Sequence, residues 1–243
     1  MKLDILAFGA HPDDVELSAS GILLLEKKRG KKTGIIDLTG GELGTRGTAQ
    51  TRAKEAAESA KILQLEIREN LGMADGFFTN DEAHQLKVIC AIRKYRPEIV
   101  LCNAPEDRHP DHGKAAKLVS DSCFLSGLIK VQTSQAGKEQ EAWRPKYVLH
   151  YVQDRYLKPD FVVDVSAVFN EALKSIQSYQ TQFFSEDAPE GPVTYISTPG
   201  FLDSIIYRHR MFGKMIGVEY AEGFISEKTV GLKNLDSLIL ENT

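Results

Sequence analysis

Two short turns that share the sequence His-Pro-Asp each follow an apolar run and precede a helical pattern. Residues 5–8 (ILAF) lead into GAHPDDVE, and residues 99–102 (IVLC) lead into a segment that contains RHPDHG. An apolar run that ends in a tight turn and opens a helix is typical of an open α/β sheet, in which ligands bind outside the carboxyl ends of the strands. The two turns therefore predict both the class of fold and the place of a site.

The rest of the chain continues this alternation of strands and helices. Up to residue 124, we predict strands at 3–10, 33–38, 66–71 and 99–103 and helices at 13–29, 49–63, 81–95 and from Asp111 onward. Further along, we predict strands at 147–152 and 161–165, helices at 168–183 and 203–217, a polar, mobile segment at 132–142 and an irregular loop at 189–199. This pattern predicts a doubly wound α/β fold, a mostly parallel sheet flanked by helices, and a single domain over residues 1–243.

Composition narrows the possible partners. The formal net charge is −4 and no basic stripe is present, which disfavours a nucleic-acid partner. The cysteines, Cys90, Cys102 and Cys123, form no CxxC pair, which disfavours a disulfide framework or a thiolate zinc site. No apolar run approaches the roughly 18 residues of a membrane-spanning helix, and no signal peptide precedes the first strand. We therefore expect a cytoplasmic protein with no membrane partner.

The two turns together offer three histidines and three aspartates. Catalytic zinc commonly takes three nitrogen or oxygen ligands and keeps one position for water, and His11, Asp14 and His112 supply such a set. His109 could then protonate a leaving group, and Asp111 could orient a histidine by a hydrogen bond. A helix cap explains either turn alone, because Asp after Pro is common at a helix start. Two such turns after two predicted strands are poorly explained as caps.

A glycine-rich loop and an arginine follow the second predicted strand. Residues 39–48 (TGGELGTRGT) lack the GK[ST] ending of a phosphate-binding loop, so they form either a flexible connection or an active-site loop. Arg52 lies in the first turn of the next predicted helix, where a cation opposes the helix dipole. It is therefore either an exposed surface residue or a residue that points into the site to hold a substrate oxygen.

The sequences AHPDDVE and HPDHG resemble those of the PIG-L (LmbE-like) family of metal-dependent N-acetylglucosamine deacetylases. The resemblance extends over nearly the whole chain, through the glycine-rich loop, the TRxxE pattern of Thr51, Arg52 and Glu55, and the closing AEGF at 221–224. Within the family, GELGTRGT, EDRHPDHG and YAEGF are similar to the subgroup of bacillithiol synthesis, which acts on N-acetylglucosaminyl malate.

This resemblance implies a Rossmann-like fold, a metal and a set of site residues. It implies Zn²⁺ bound by His11, Asp14 and His112, with Asp13 as general base and His109 as general acid. The same ligand set also suits other divalent metals such as Fe²⁺. The substrate-binding residues that it implies are Arg52, which matches the family arginine that binds sugar hydroxyls, and, from loop context, Glu42, Asp75 and Arg108.

The resemblance also implies a small-molecule N-acetylglucosamine conjugate as the substrate, and we expect a homo-oligomer. A malate group carries two carboxylates, so its binding site needs cations near the metal. Arg46 in the glycine-rich loop and Arg108 before the second turn could reach such a group. Alternatively, both arginines are solvated surface residues.

Three alternative functions remain open. The first is another amide hydrolase of the same family, acting on a mycothiol-type conjugate or a chitooligosaccharide. The second is a nucleotide-binding module, which predicts a glycine fingerprint after the first strand, where this chain has His-Pro-Asp-Asp. The third is a metal-binding structural protein, which predicts a closed site without an open position for water.

Overall fold

One seven-stranded sheet organises the described part of the chain, which comprises residues 1–183 and 192–239 of the computed structural model. The strands are β1 (Ile5–Gly9), β2 (Thr33–Thr39), β3 (Ile67–Met73), β4 (Ile99–Cys102), β5 (Ser134–Gln135), β6 (Lys138–Glu139), β7 (Tyr147–Tyr151), β8 (Phe161–Asp164) and β9 (Ala221–Ser226). The helices are α1 (Asp14–Lys28), α2 (Ala49–Ile62), α3 (Glu82–Tyr95), α4 (Pro110–Leu125), α5 (Phe169–Gln177) and α6 (Gly200–Ile216). Strands β5 and β6 form a separate hairpin.

The order of the strands places a crevice beside β1. The sheet runs β3-β2-β1-β4-β7-β9-β8, and its first five strands pair in parallel, whereas β9 is antiparallel to both β7 and β8. The chain builds β1, β2 and β3 outward on one side and then crosses to β4 on the other side of β1. Ligands bind at the carboxyl ends of the strands where the order reverses in this way. The predicted α/β class with a mostly parallel sheet is confirmed.

Strand β1 is apolar throughout because both of its faces are covered. Leu6 and Phe8 belong to a buried cluster with side chains of α3 and α4, whereas Ile5 and Ala7 belong to a cluster with side chains of α1 and α5. All five residues of β1 are buried. Burial of a large apolar side chain contributes roughly 1.5–3 kcal/mol to folding stability. The strand therefore fixes the position of the turn that follows it.

The differences between predicted and observed elements lie in the second half of the chain. Strand β9 lies inside the sheet, although the pattern predicts no element beyond residue 217. Glu222 and Gly223 interrupt its apolar character, and pairing with β7 and β8 on either side overrides that weak propensity. The polar segment 132–142, for which no element is predicted, contains the β5–β6 hairpin. The helix predicted at 168–183 ends at Gln177 as α5, and the last helix begins at Gly200, before the predicted residue 203.

Smaller predictions concern single segments. Within the predicted loop 189–199, residues 189–191 lie outside the described residues, and the remainder contains a 3₁₀ turn, Tyr195–Ser197. Cys102 and Cys123 are buried free thiols, as their apolar surroundings predict. Among the described residues, no helix combines the length and the apolar character needed to cross a membrane.

Candidate metal and catalytic site

The two His-Pro-Asp turns lie side by side at the carboxyl ends of β1 and β4. These strands are neighbours in the sheet, with Ala7 opposite Leu101. The ring centroids of His11 and His109 are 4.6 Å apart, those of His109 and His112 are 5.2 Å apart, and those of His11 and His112 are 5.7 Å apart. The fold thus brings together predicted site residues that are distant in the sequence.

Two of these histidines direct one ring nitrogen at Asp14 and the other at a second carboxylate. His112 Nε2 lies 3.1 Å from Asp14 Oδ1, and its Nδ1 lies 2.5 Å from Asp107 Oδ2. His11 Nδ1 lies 3.5 Å from Asp14 Oδ2, and its Nε2 lies 3.0 Å from Asp75 Oδ1. A metal-bound histidine typically donates its other ring N–H to a carboxylate. The atoms left to face one another are His11 Nδ1, His112 Nε2 and the Asp14 oxygens, and this set fits a divalent cation.

Two other groupings of possible ligand atoms share His11. Ligand atoms of His11, His109 and His112 lie within 4.8 Å of one another, as do those of His11, Asp75 and Asp111. A neutral imidazole offers one lone pair, so the nitrogen that donates to a carboxylate cannot also bind a metal. His11 Nε2 lies 3.0 Å from Asp75 and 3.5 Å from Asp111, which leaves Nδ1 for the cation. The contact with Asp111 is the one expected of a carboxylate that orients a histidine.

The electrostatics of the donor set favour a bound cation. Burial disfavours a charged His112, but Asp14 and Asp107 outweigh burial and raise the pKa of His112 to about 9. Burial also opposes charge on His11, yet three neighbouring carboxylates raise its pKa well above the usual value. Burial alone would raise the pKa of Asp14, but His112 and His11 hold it well below its usual range. The site therefore demands positive charge, which protons or a divalent cation can supply.

Two buried amides hold Asp14 in place. Gln153 Nε2 donates to Asp14 Oδ1 at 2.9 Å, and Asn103 Nδ2 donates to Asp14 Oδ2 at 3.0 Å. Asn103 also donates to Gln153 Oε1 at 2.9 Å and accepts the Ala10 N–H at 3.0 Å. Sequence reasoning missed both amides and Asp107. A signal existed, because Asn103 and Gln153 closely follow the carboxyl ends of β4 and β7, where ligands are expected.

Asp13 adopts an unusual backbone conformation that Arg52 supports. Its φ of 118° falls in a region that costs a non-glycine residue of order 1–3 kcal/mol. Arg52 Nη2 donates to Pro12 O at 3.1 Å and to Asp13 Oδ2 at 2.7 Å. Burial raises the pKa of Asp13 to about 6, and the Arg52 charge opposes this rise. Arg52 is only 5% exposed, so the alternative of an exposed surface residue is wrong, while its contact with sugar hydroxyls stays a prediction.

His109 caps helix α4 with its ring. His109 Nδ1 accepts the Asp111 backbone N–H at 3.2 Å, so the proton of the neutral ring sits on Nε2. Burial lowers the pKa of His109, and the charges of His11 and His112 lower it further. At neutral pH the ring is therefore mainly a neutral N–H donor, and once protonated it is a stronger acid than an ordinary histidine.

A cavity of about 340 Å³ opens beside the donor set. This volume lies in the range of small-molecule sites, which run from about 300 to 1,000 Å³. The donors line it together with Asp13 and His109. Its lining also includes apolar residues and further polar ones, among them Leu17, Tyr195, Phe201, Ile205, Arg46, Arg108, Asp154, Gln182 and Arg208.

The two arginines predicted to bind an anion line this cavity, and each already has intramolecular partners. Arg108 Nε donates to Asp154 Oδ2 at 3.0 Å, and its guanidinium lies 4.2 Å from the centroid of the Tyr195 ring. Arg46 donates to Thr181 O at 3.0 Å and to Pro192 O at 3.2 Å. A substrate carboxylate would therefore have to share these cations with the protein.

The glycine-rich loop lies against the site. Leu43, Gly44 and Thr45 line the cavity, which favours an active-site loop over a flexible connection. Glu42 is not among the described residues that line the cavity, and its carboxylate accepts the N–H groups of Gly40 at 3.1 Å and Asp75 at 2.8 Å. Glu42 and Asp75 thus support the loop and His11, and substrate contacts of either residue stay predictions.

Comparison with known proteins places this site in a family. The PIG-L family model, described as GlcNAc-PI de-N-acetylase, matches residues 6–123, a range that contains both His-Pro-Asp turns and therefore all three proposed metal ligands. The chain belongs to the PIG-L family.

Individual relatives extend the likeness over nearly the whole chain. A diacetylchitobiose deacetylase of Thermococcus kodakarensis is 28% identical over 233 residues, which cover 90% of this chain and 81% of the relative. The crystal structure of a conserved protein from Thermus thermophilus has a TM-score of 0.83 and 35% identity, and covers 95% of this chain and 97% of its own. An N,N'-diacetylchitobiose deacetylase from Pyrococcus horikoshii, at 23% identity and 91% and 82% coverage, shares the fold with a TM-score of 0.78.

Proposed function

We propose that this chain is a metal-dependent hydrolase that removes the N-acetyl group from an N-acetylglucosamine conjugate. The observation that carries the proposal is the donor set of His11, Asp14 and His112, which faces a cavity of about 340 Å³ with Asp13 and His109 beside it. Membership of the PIG-L family and the relative from Thermococcus support an N-acetyl amide as the bond that is cleaved.

We assign Zn²⁺ to the donor set, and Fe²⁺ or another divalent metal also suits these ligands. When bound, such a cation polarises the acetamide carbonyl and lowers the pKa of a coordinated water. The chain supplies the orientation of the ligands. Asp75 and Asp107 each hold the outer nitrogen of one histidine, and the two amides fix the carboxylate of Asp14.

Asp13 is the general base in this proposal. Its carboxylate accepts the proton of the attacking water, and burial makes it a stronger base than an ordinary aspartate by raising its pKa to about 6. Arg52 occupies Asp13 Oδ2 and so fixes the direction of the carboxylate. The guanidinium also stabilises the ionised form, which the base requires before the reaction.

His109 is the general acid in this proposal. Its Nε2 faces away from the Asp111 N–H that Nδ1 accepts, so this nitrogen can donate to the substrate. As the C–N bond breaks, the proton passes from His109 to the departing amine, and the products are acetate and a glucosamine derivative. The lowered pKa of His109 makes the imidazolium a better proton donor and at the same time reduces its population at neutral pH.

We propose N-acetylglucosaminyl malate as the substrate. The support comes from the resemblance of GELGTRGT, EDRHPDHG and YAEGF to the bacillithiol subgroup and from Arg46 and Arg108 in the cavity wall, since arginine binds carboxylates well. The alternative is a chitooligosaccharide, which the similarity to a diacetylchitobiose deacetylase favours. The two candidates differ in charge, and this difference separates them experimentally.

An assay of acetate release tests the proposal. The purified protein, loaded with Zn²⁺ or Fe²⁺, is given N-acetylglucosaminyl malate, N,N'-diacetylchitobiose and plain N-acetylglucosamine, and its metal content is measured in parallel. We expect acetate from the malate conjugate at the highest kcat/KM, and loss of activity after chelation. Absence of acetate from all three substrates by the metal-loaded protein would contradict the deacetylase proposal, and a preference for diacetylchitobiose would replace the malate assignment.

A further inference from the structure

The closing AEGF sequence contains a buried carboxylate that the proposed chemistry does not use. Glu222 lies on β9 and is 2% exposed. Its two oxygens accept the backbone N–H groups of Gly21 at 2.7 Å and Ile22 at 2.8 Å. Both donors lie in the middle of α1, where N–H groups normally bond to carbonyls of the preceding turn. The Glu222 carboxylate therefore binds the backbone of α1, the helix that begins at the first His-Pro-Asp turn.

The approach of Glu222 to α1 depends on a glycine. A Cβ atom at Gly21 would lie 2.8 Å from Glu222 Oε1 and 2.8 Å from Val165 Cβ, closer than real Cβ contacts allow. Glycine in the interior of a helix costs roughly 0.5–1 kcal/mol relative to alanine, so its use here has a packing reason. The neighbours that leave no room for a Cβ are the Glu222 carboxylate and the side chain of Val165.

The guanidinium of Arg208 binds a backbone carbonyl on the same turn of α1. Arg208 Nη2 donates to Leu17 O, the carbonyl four positions before Gly21, and Arg208 Nη1 donates to Gln153 O. Leu17 O and Gly21 N–H are the two halves of an ordinary helical hydrogen bond. Arg208 and Glu222 therefore each engage one half of that bond from outside the helix.

This arrangement connects α1 to the residues that hold the metal ligand. The side chain of Gln153 donates to Asp14 Oδ1 at 2.9 Å, while its backbone carbonyl accepts from Arg208. The first turn of α1, which carries Asp14, is thus bound at two points to Gln153, which closely follows β7. Glu222 anchors the next turn of the same helix to β9.

We propose that Glu222 and Arg208 are positioning residues that fix the first turn of α1, and with it Asp13 and Asp14, against Gln153. Catalytic groups tolerate displacements of only about 0.5 Å, so residues that set the position of this turn influence metal binding and rate without touching the substrate. The inference rests on the proposed metal site at His11, Asp14 and His112.

Two isosteric or charge-retaining variants test the inference. Glu222→Gln replaces one acceptor by an NH₂ group, which cannot accept a backbone N–H, and Arg208→Lys keeps the charge but carries all its donors on one nitrogen, so it lacks the planar fork by which the guanidinium spans two carbonyls. The matched control is Arg210→Gln, because Arg210 lies on the same helix with its side chain 57% exposed. Each protein is stripped of metal and titrated with Co²⁺, whose visible absorption reports the ligand geometry, and kcat, KM and the thermal midpoint are measured as well.

We expect both variants to fold, to bind Co²⁺ about 10–100-fold more weakly with an altered spectrum, and to lose kcat by a similar factor with KM little changed. The control should match the unmodified protein. Folded variants with the parent's Co²⁺ affinity, spectrum and kcat would overturn the inference even if their thermal midpoints fell. A rise in KM alone for Arg208→Lys would also overturn it, since that pattern marks a substrate contact.

Failure of the inference and failure of the proposed function are distinguishable. If the unmodified protein binds no Co²⁺ at this site, the metal proposal fails and the positioning proposal fails with it. If the unmodified protein binds Co²⁺ and the variants bind it equally well, only the positioning proposal fails. Should Glu222→Gln not fold, Arg208→Lys decides alone.

Discussion

Two groups of residues that line the cavity are built in different ways. The first, the metal wall, consists of His11, Asp13, Asp14, His109 and His112, and the second, the aglycone wall, named for the substrate group that we propose it binds, consists of Arg46, Arg108, Asp154, Tyr195 and Phe201. In the metal wall, the side chains of the three proposed ligands are at most 9% exposed. In the aglycone wall, the Arg108 side chain is 43% exposed and Tyr195 is 52% exposed.

This difference separates the chemistry from the choice of substrate. Buried hydrogen bonds hold the donors before any substrate arrives, which is the preorganisation that catalysis in a low-dielectric site requires. The ion pair of Arg108 and Asp154 is partly screened by solvent, so it can exchange partners at little cost. We therefore expect large effects from single changes in the metal wall and smaller, substrate-dependent effects from changes in the aglycone wall.

The largest effect is expected from loss of a proposed ligand. His11→Ala, Asp14→Ala or His112→Ala removes one of three donors and leaves the remaining buried charges uncompensated, so metal retention and deacetylation should disappear together. Metal content after dialysis and initial rates measure both quantities. The matched control is His84→Ala on α3, whose ring contacts Asp81 at 2.8 Å outside the cavity. An alanine variant of any ligand with full metal and full rate would refute the assignment.

A second large effect should leave the metal in place. Asp13→Asn and His109→Ala should keep the metal yet lose about 10²–10⁴-fold in rate, the usual contribution of general acid–base catalysis. Because the pKa of Asp13 is raised to about 6, activity should rise with pH through that value as the base ionises. Because the pKa of His109 is lowered, imidazolium is lost as pH rises, and activity should then fall.

The pH–rate profile of kcat/KM checks these roles. The acid limb should disappear in Asp13→Asn, and the alkaline limb should flatten in His109→Ala. If the alkaline limb survives unchanged in the His109 variant, another group gives the proton to the amine. The ring would then serve as a neutral hydrogen-bond donor from Nε2, which its contact with the Asp111 N–H also allows.

An intermediate effect is expected from a residue that hydrogen-bonds a proposed metal ligand without binding the metal itself. Asp107→Asn removes the carboxylate that receives His112 Nδ1–H at 2.5 Å, and loss of such a partner typically weakens metal affinity or activity by about 10–100-fold. Metal affinity is measured by competition with a chelator. The neighbouring exposed Glu106→Gln is the control for charge, and equal affinities for both variants would mean that Asp107 does not orient the ligand.

The sequence indicates which residues meet in the metal wall because their turns follow two predicted strands. His11 and Asp14 lie within five residues of the end of β1, His112 lies ten residues after the end of β4, and the neighbouring positions of β1 and β4 in the sheet make the two turns meet. The fold class follows from the same alternation of strands and helices. Local patterns suffice where the chemistry depends on short stretches of chain.

The other contacts depend on packing between distant segments. Arg52 meets Asp13 only because α2 packs beside the first turn, and Gln153 reaches Asp14 only because β7 pairs with β4. Strand β9 is interrupted by Glu222 and becomes a strand through pairing on both sides. No local propensity or motif spacing reports such contacts, so the partners of Arg46 and Arg108 were equally out of reach.

The smallest effects should come from the aglycone wall, and they depend on the substrate. Arg108 and Arg46 already bind protein acceptors, so an incoming carboxylate gains only the surplus of its own charge-assisted hydrogen bond over these contacts. For Arg108, whose side chain is 43% exposed, solvent reduces that gain further. A net gain of about 1.4 kcal/mol corresponds to a tenfold change in kcat/KM.

Arg46→Ala and Arg108→Ala should therefore each lower kcat/KM for N-acetylglucosaminyl malate by about tenfold, because a partly buried charge-assisted hydrogen bond is lost. N,N'-diacetylchitobiose carries no carboxylate, so its kcat/KM should change little. Asp154→Asn sharpens the test from the other side, since release of Arg108 from its acidic partner should improve the malate conjugate selectively. Equal losses on both substrates would assign the arginines to sugar binding or to the fold. The expectation that changes in the aglycone wall affect only the choice of substrate would then be wrong.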